Sequence, residues 1–500
     1  MKRILLVFLA LACAIGLSGC VPLSVNLQRA DQTVSLPLPA AEAVEPAVGD
    51  SLTAAEYEMT LYQVTPEQQL FPVRRTIEVQ PGETPEEKAL NALIALPDTE
   101  GAINPFPEDT RILSVERSGD VCVVDLSIDA LNVQGEQQLL WMRACAAATL
   151  TETGESGQVS LLIGGKDPGL LSVPSGATGR PEDNLAALWA HLTADQAVLM
   201  GDGENGPGSI ERTAILYYPS RDGEYIAPVA RTVRITGEET VTPVIEALLA
   251  APEEACLRSP FPENESVLLS EPEIVETEDG RRMVKLVFDA NLMATLEMEE
   301  LTAWQLYASL TYTITGFVPG VDGLIVVIGD GQLTRTERGG RELIFGGGEM
   351  NRQSYPDAVC RLTPVYFSST DGGLVRILRP LDQKSAASPR VRLNELFEGP
   401  ASWEATAARV LPDGVSIDDI LGVRMENGEA VINLSSNLYR CCQSLTARQE
   451  QSLVYAFVNT LTELPSVSCV RFQVEGETVD YLVSSIFLRG PLMRNPGMVR

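Results

Sequence analysis

Over residues 57–62 and again over 71–79, polar and apolar positions alternate with the period of two that marks half-buried strands. Thr84, Pro85 and then Glu86-Glu87 have the form of a helix N-cap, an N1 proline and an acidic first turn. Pro97 predicts that this helix stops at Leu96, because a proline cannot be accommodated in its interior. Residues 112–116 and 121–126 read as a hairpin turning at Ser118-Gly119-Asp120. A helix over about 136–150 follows, then a strand over 159–163 closed by Gly164-Gly165. The sum predicts an α+β layer, one sheet carrying two helices.

The same series returns further along. Pro72-Val73-Arg74-Arg75-Thr76-Ile77 is matched by Pro228-Val229-Ala230-Arg231-Thr232-Val233, and Ala92-Leu93-Ile94-Ala95-Leu96-Pro97 by Ala247-Leu248-Leu249-Ala250-Ala251-Pro252. Pro105-Phe106-Pro107-Glu108 has its counterpart in Pro260-Phe261-Pro262-Glu263. Val124-Asp125-Leu126-Ser127 is aligned with Val284-Lys285-Leu286-Val287. A more divergent third copy runs through Leu396-Phe397-Glu398-Gly399-Pro400, Leu411-Pro412-Asp413-Gly414 and Ile432-Asn433-Leu434-Ser435. Thr149-Leu150-Thr151, Thr313-Ile314-Thr315 and Thr460-Leu461-Thr462 lie near the three ends. A period this long predicts three whole domains, not a solenoid of small repeats. In the last copy Leu453, Phe457 and Leu461 stand at helical spacing in a helix over 446–464, a stripe expected to be core.

Aromatic strand endings (Leu216-Tyr217-Tyr218; Val365-Tyr366-Phe367), an apolar helix ending in proline, a proline turn, a Val-Asp-Leu-Ser strand and a helix ending Asn459-Thr460-Leu461-Thr462-Glu463-Leu464 together resemble the GerMN domain of exported sporulation and germination lipoproteins. The resemblance implies ring-building-like α/β sandwich domains and a non-enzymatic envelope role among other envelope or sporulation proteins. The second copy departs at Lys285 and Val287, where Asp125 and Ser127 stand in the first.

The N-terminus carries an address. Lys2 and Arg3 precede an apolar run over 4–17, a secretory pattern. Leu17-Ser18-Gly19-Cys20 resembles a bacterial lipobox, which implies cleavage before Cys20 and a diacylglycerol anchor on its thiol. The expected organisation is a signal over 1–20, an extended Pro-containing stalk over 21–50, and domains over 51–170, 211–333 and 358–482. Linkers over 171–210 and 334–357 would let the domains reorient, and a turn-rich tail over 483–500 would follow and dock on the third domain. The expected location is the extracytoplasmic face of the cell membrane, lipid-anchored.

Composition narrows the chemistry. With 37 Lys+Arg against 68 Asp+Glu, the formal charge of −31 excludes broad nucleic-acid binding. A single histidine, His191, read as a linker residue, removes most His-based zinc sites and Ser-His-Asp schemes. Ser127 and Ser435 follow Asp-Leu and Asn-Leu on strands with no base nearby, so they read as hydrogen-bonding strand ends. The glycines at 329, 331 and 346–348 form no phosphate-loop pattern, and Glu278-Asp279 and Asp418-Asp419 read as solvated turns. No catalytic, cofactor or metal residues are expected. Tyr217, Tyr218, Tyr366 and Phe367 leave peptidoglycan or carbohydrate stacking open as a second reading. Cys122, Cys145 and Cys469 are expected to be buried, and Cys441-Cys442 is a vicinal pair able to oxidise or take a soft metal.

Overall fold

The computed structural model describes residues 46–134, 136–153, 157–167, 209–236, 240–262 and 267–500. Cys20, His191 and most of the stalk and first linker lie outside them. Val44–Arg500 forms one compact unit.

A short strand, β1 (Ser51–Leu52), precedes a long hairpin, β2 (Ala55–Val64) with β3 (Leu70–Val79). Helix α1 (Pro85–Ile94) starts as its sequence requires, with the Thr84 side chain accepting the Glu87 amide. Strands β4 (Ile112–Ser118) and β5 (Val121–Leu126) form a hairpin; helix α2 (Glu136–Glu152) then leads to β6 (Gln158–Ile163), parallel to β5. A helix returning the chain to a parallel strand is the standard crossover.

The order recurs. Hairpin β7 (Ser209–Pro219) with β8 (Ile226–Thr236) is followed by α3 (Val241–Leu249), β9 (Glu273–Glu276), β10 (Arg282–Phe288), α4 (Leu292–Met298), α5 (Ala303–Phe317) and β11 (Gly323–Ile328). Here β10 and β11 are the parallel pair. Residues 334–357, read as a hinge, are built structure. β12 (Gly331–Gln332) leads to a hairpin of β13 (Arg335–Arg338) and β14 (Arg341–Ile344), and then to β15 (Glu349–Met350), which pairs antiparallel to β11. Met350 and Tyr355 are fully buried in the middle core, which fastens this stretch by the same burial that holds the repeat.

The third series runs β16 (Arg361–Ser369), β17 (Leu374–Leu381), α6 (Gln383–Ala387), α7 (Pro389–Glu398) and β18 (Ala407–Ala408). It continues with β19 (Ile420–Glu426), β20 (Glu429–Leu434), α8 (Ser436–Cys442), α9 (Ala447–Leu461), β21 (Cys469–Val474), β22 (Glu477–Thr478) and β23 (Leu492–Met493). Leu453, Phe457 and Leu461 of α9 have no exposed surface and pack in the third core. The tail docks on this repeat: β23 pairs with β21, and the Asn495 amide donates to Asn459 Oδ1 at 3.0 Å.

Residues 46–50, read as the end of a stalk, also lie on the third repeat. The Ala47 amide donates to Gln473 Oε1 at 3.0 Å, and Asn433 Nδ2 donates to the Ala47 carbonyl at 2.9 Å. Asp50 receives two hydrogen bonds from Arg390, at 2.6 and 2.9 Å, and one from the Val423 amide at 3.1 Å. β1 then adds in parallel to β19. The segment satisfies the backbone of a strand that would otherwise be an open edge, the usual template for unwanted pairing.

The repeats are joined through apolar contact as well. Val121, Val123 and Leu162, on the face of the first sheet away from its helices, pack against Ile215 and Ala230 of the second hairpin. That is why β5 is buried at every position.

Candidate functional site

Each repeat builds the same polar clasp between its first hairpin and its long helix. The amide of Tyr62 donates to Thr149 Oγ1 at 3.2 Å, that of Tyr217 to Thr313 at 2.9 Å, and that of Tyr366 to Thr460 at 3.1 Å. All three threonines are buried. The residue opposite Tyr62 is Pro72 and that opposite Tyr217 is Pro228. At such a position both backbone N–H groups point away from the partner strand, so the proline costs the ladder no bond and the tyrosine amide is free for the helix. The Thr-Leu-Thr and proline matches in the sequence are therefore one device. Thr313→Val should cost about 1–3 kcal/mol in urea unfolding by stranding the Tyr217 amide, whereas Thr313→Ser should stay near wild type. Equal losses for both variants would show that the methyl group, not the hydroxyl, matters.

The tyrosine hydroxyls finish the site. Tyr62 donates to Glu152 Oε1 at 2.9 Å and Tyr366 to Glu463 Oε1 at 2.6 Å; each glutamate stands one helical turn after its threonine. In the middle repeat that place is Gly316, where a Cβ would lie 2.9 Å from Arg352 Nη2. Arg352 occupies the space instead. It donates to the Tyr312 carbonyl at 2.8 Å, Thr315 Oγ1 at 3.3 Å and the Tyr217 hydroxyl at 3.4 Å, with its guanidinium 4.5 Å from the Tyr312 ring centroid and 5.2 Å from that of Tyr217. Tyr217 in turn donates to Glu116 Oε2 at 3.3 Å. Glu116 is partly exposed as a residue, but its carboxyl is enclosed, and burial pushes its pKa up while Arg352 pulls it back.

Arg494 is the third repeat's Arg352. Each follows a short strand antiparallel to the last sheet strand, with Met350 opposite Leu324 and Leu492 opposite Val470. Arg494 bonds both Glu463 and the Tyr366 hydroxyl, with its guanidinium 5.5 Å from the tyrosine centroid. The first repeat's pair is half-buried Tyr62 and exposed Glu152; among the described residues no guanidinium sits on it. Desolvation, then the Glu152 hydrogen bond, holds the Tyr62 pKa up at about 12. Sequence reading missed both arginines, since one lay in an assumed linker and the other in the tail. Each arginine stands two residues after the strand residue it shares by register, Met350 and Leu492, a match that appears only once the pairing is known.

The strand-end polar residues fall into place once register is used. The Gly164 amide bonds the Leu126 carbonyl, Gly329 that of Phe288 and Glu475 that of Leu434. Leu126, Phe288 and Leu434 are thus equivalent, and the sequence alignment of the second copy was two residues out. Asp125 corresponds to Val287 and Asn433, and Ser127 to Asp289 and Ser435. A two-residue slip keeps every side chain on its face, so alternation alone cannot detect it. Asp125 and Asn433 do the same work: each accepts the amide of a glycine in a left-handed turn, Gly165 and Gly476, at 2.8 Å. Ser127 accepts the Arg111 amide and donates to Asp129, while Ser435 caps α8 and donates to Asp419 at 2.6 Å. Asp419 is consequently buried and structural, not a solvated turn residue.

Tyr217, Tyr218, Tyr366 and Phe367 are at most 1% exposed, so these rings cannot stack on sugars; they fill cores. Cys122 and Cys145 are buried, Cys469 only half-buried at a strand start, and Cys441 and Cys442 are both free thiols. Among the described residues no group of three or more His, Cys, Asp or Glu is arranged to hold a metal, and no helix is long and apolar enough to cross a membrane.

The Germane family model, described as sporulation and spore germination, matches residues 60–168 and 364–480, which hold the tyrosine, threonine and glutamate of the first and third clasps. Two segments of this chain, in its first and third repeats, thus match the Germane model. The match reaches the copy read as most divergent and passes over the middle one, whose clasp has Gly316 for glutamate. It gives the chain a family tie to sporulation and germination. Among solved structures, the tandem GerMN domains of the sporulation protein GerM from Bacillus subtilis align at 17% identity over 57% of this chain and 98% of that one, with a TM-score of 0.23. The first GerMN domain of the same protein aligns at 19% identity over 27% of this chain and 97% of its own, with a TM-score of 0.22. No curated protein sequence matches the chain.

Proposed function

We propose that this chain is a lipid-anchored, non-enzymatic scaffold of the cell envelope, acting with other envelope proteins in spore formation or germination. The observation that carries the reading is how its polar groups are used. In the second and third clasps tyrosine, carboxylate and arginine hold strand, helix and following segment together, and the strand-end serines are helix caps and turn locks. The Cys20 lipobox supplies the anchor in this reading, and the middle repeat is a diverged Germane copy. The Tyr62–Glu152 pair, with its glutamate exposed, is the clasp left open for contact with a neighbour. A functional fluorescent fusion followed through growth and induced sporulation should gather at the engulfing septum, and deletion should impair sporulation or germination. Even labelling of growing cells, with neither process affected by deletion, would sink the proposal.

A further inference from the structure

In a chain this acidic, arginines gathered in one place call for an explanation. Arg117 of β4, Arg361 of β16 and Arg392 of α7 meet where the first and third repeats join, with the Leu362 amide donating to Ser118 Oγ at 3.2 Å alongside. With Arg376, Asp120 and Glu463 they line a cavity of about 340 Å³. Arg361 and Arg392 also line a smaller one, of about 60 Å³.

The nearby carboxylates are shared with other groups. Asp120 accepts the Gly157 amide at 2.5 Å, Glu463 takes Tyr366 and Arg494 and stands 4.0 Å from Arg376, and Glu86 pairs with Arg117 at 3.2 Å. Arg392 is 2% exposed; its Nε donates to the Ala386 carbonyl at 2.7 Å, while its buried Nη1 has no partner among the described residues. A buried donor on a charged group left unspent is costly, and like charges around it add to that cost. Burial first, and Arg361 next, bring the pKa of Arg392 down to about 9 and that of Arg117 down to about 10.

We propose that this cavity binds an oxyanion of the phosphate class. Guanidinium forks match phosphate oxygens in shape and charge, and a bound anion would relieve the repulsion among the arginines that line the cavity. The volume admits a phosphate carried on a small organic group as well as the free ion. Because the chain as a whole is strongly negative, capture depends on short-range hydrogen bonds and not on long-range steering.

The test is calorimetric titration of the full chain with inorganic phosphate and with glycerol phosphate at constant ionic strength, beside co-sedimentation with phosphatidylglycerol vesicles. Saturable binding is expected, weakened about tenfold or more in Arg392→Met and several-fold in Arg376→Gln, as loss of a charged hydrogen-bond donor predicts. Arg376 is half-exposed, so its variant remains informative if Arg392→Met fails to fold. Exposed Arg335→Gln should bind as wild type. Tighter binding of glycerol phosphate would assign the site to a phosphate ester, and vesicle retention lost in Arg376→Gln to a lipid headgroup. Absence of saturable binding in every arm, or binding unchanged in both cavity variants, would overturn the proposal.

Discussion

Arg352→Met is expected to lower stability by about 3–5 kcal/mol at neutral pH, the usual cost of removing one partner from a buried charged network. The methionine fills much of the volume but removes the guanidinium that donates to the Tyr312 carbonyl and Thr315 hydroxyl and that opposes the buried charge of Glu116. The pH dependence identifies the cause. Burial raises the folded pKa of Glu116 above its unfolded value, so the folded state binds the extra proton in that window and stability falls as pH rises through it. Arg352 opposes that rise; removing it lifts the folded pKa further, so the penalty should be largest at neutral pH and shrink towards pH 4. Urea unfolding at several pH values, with the Glu116→Gln/Arg352→Met pair, checks this. A penalty independent of pH and unrelieved by Glu116→Gln would mean that lost packing, not charge, sets the cost.

Gly422→Val should detach the N-terminal segment from the third repeat while leaving that repeat folded. An ideal Cβ at position 422 would lie 2.4 Å from the Gly49 carbonyl oxygen and 2.7 Å from that of Ala47. These are backbone atoms and cannot swing away as a long side chain would. The bond from Asn433 and the amide bonds to Gln473 Oε1 and the Leu421 carbonyl would go with the segment, a loss of about 1–3 kcal/mol for an overpacked site. Hydrogen exchange should show amides 47 and 49 deprotected while those of α9 keep their rates. Unchanged protection at both would show that the sheet yields instead.

How far local chemistry reached is clear from particular elements. Thr84 with Pro85 announces its helix because a cap is satisfied within one turn. Leu453, Phe457 and Leu461 give away a buried face because helical spacing repeats within a few residues. The Thr-Leu-Thr signature marked the clasp, although its hydroxyl partner lies 87 to 96 residues away and could not be named from it.

The sequence by itself determined the α+β character, the starts of α1, α2 and α9, the recurring order of elements and the family resemblance, since each rests on short local patterns. Tertiary structure alone decided the register that makes Asp125 the counterpart of Asn433, because a two-residue slip preserves alternation. It also placed Arg352 in the middle core, put residues 46–50 on a strand more than 370 positions away, and brought the arginines of two repeats around one cavity. Those contacts depend on chain closure over hundreds of residues, which leaves no periodic trace in the segments that make them.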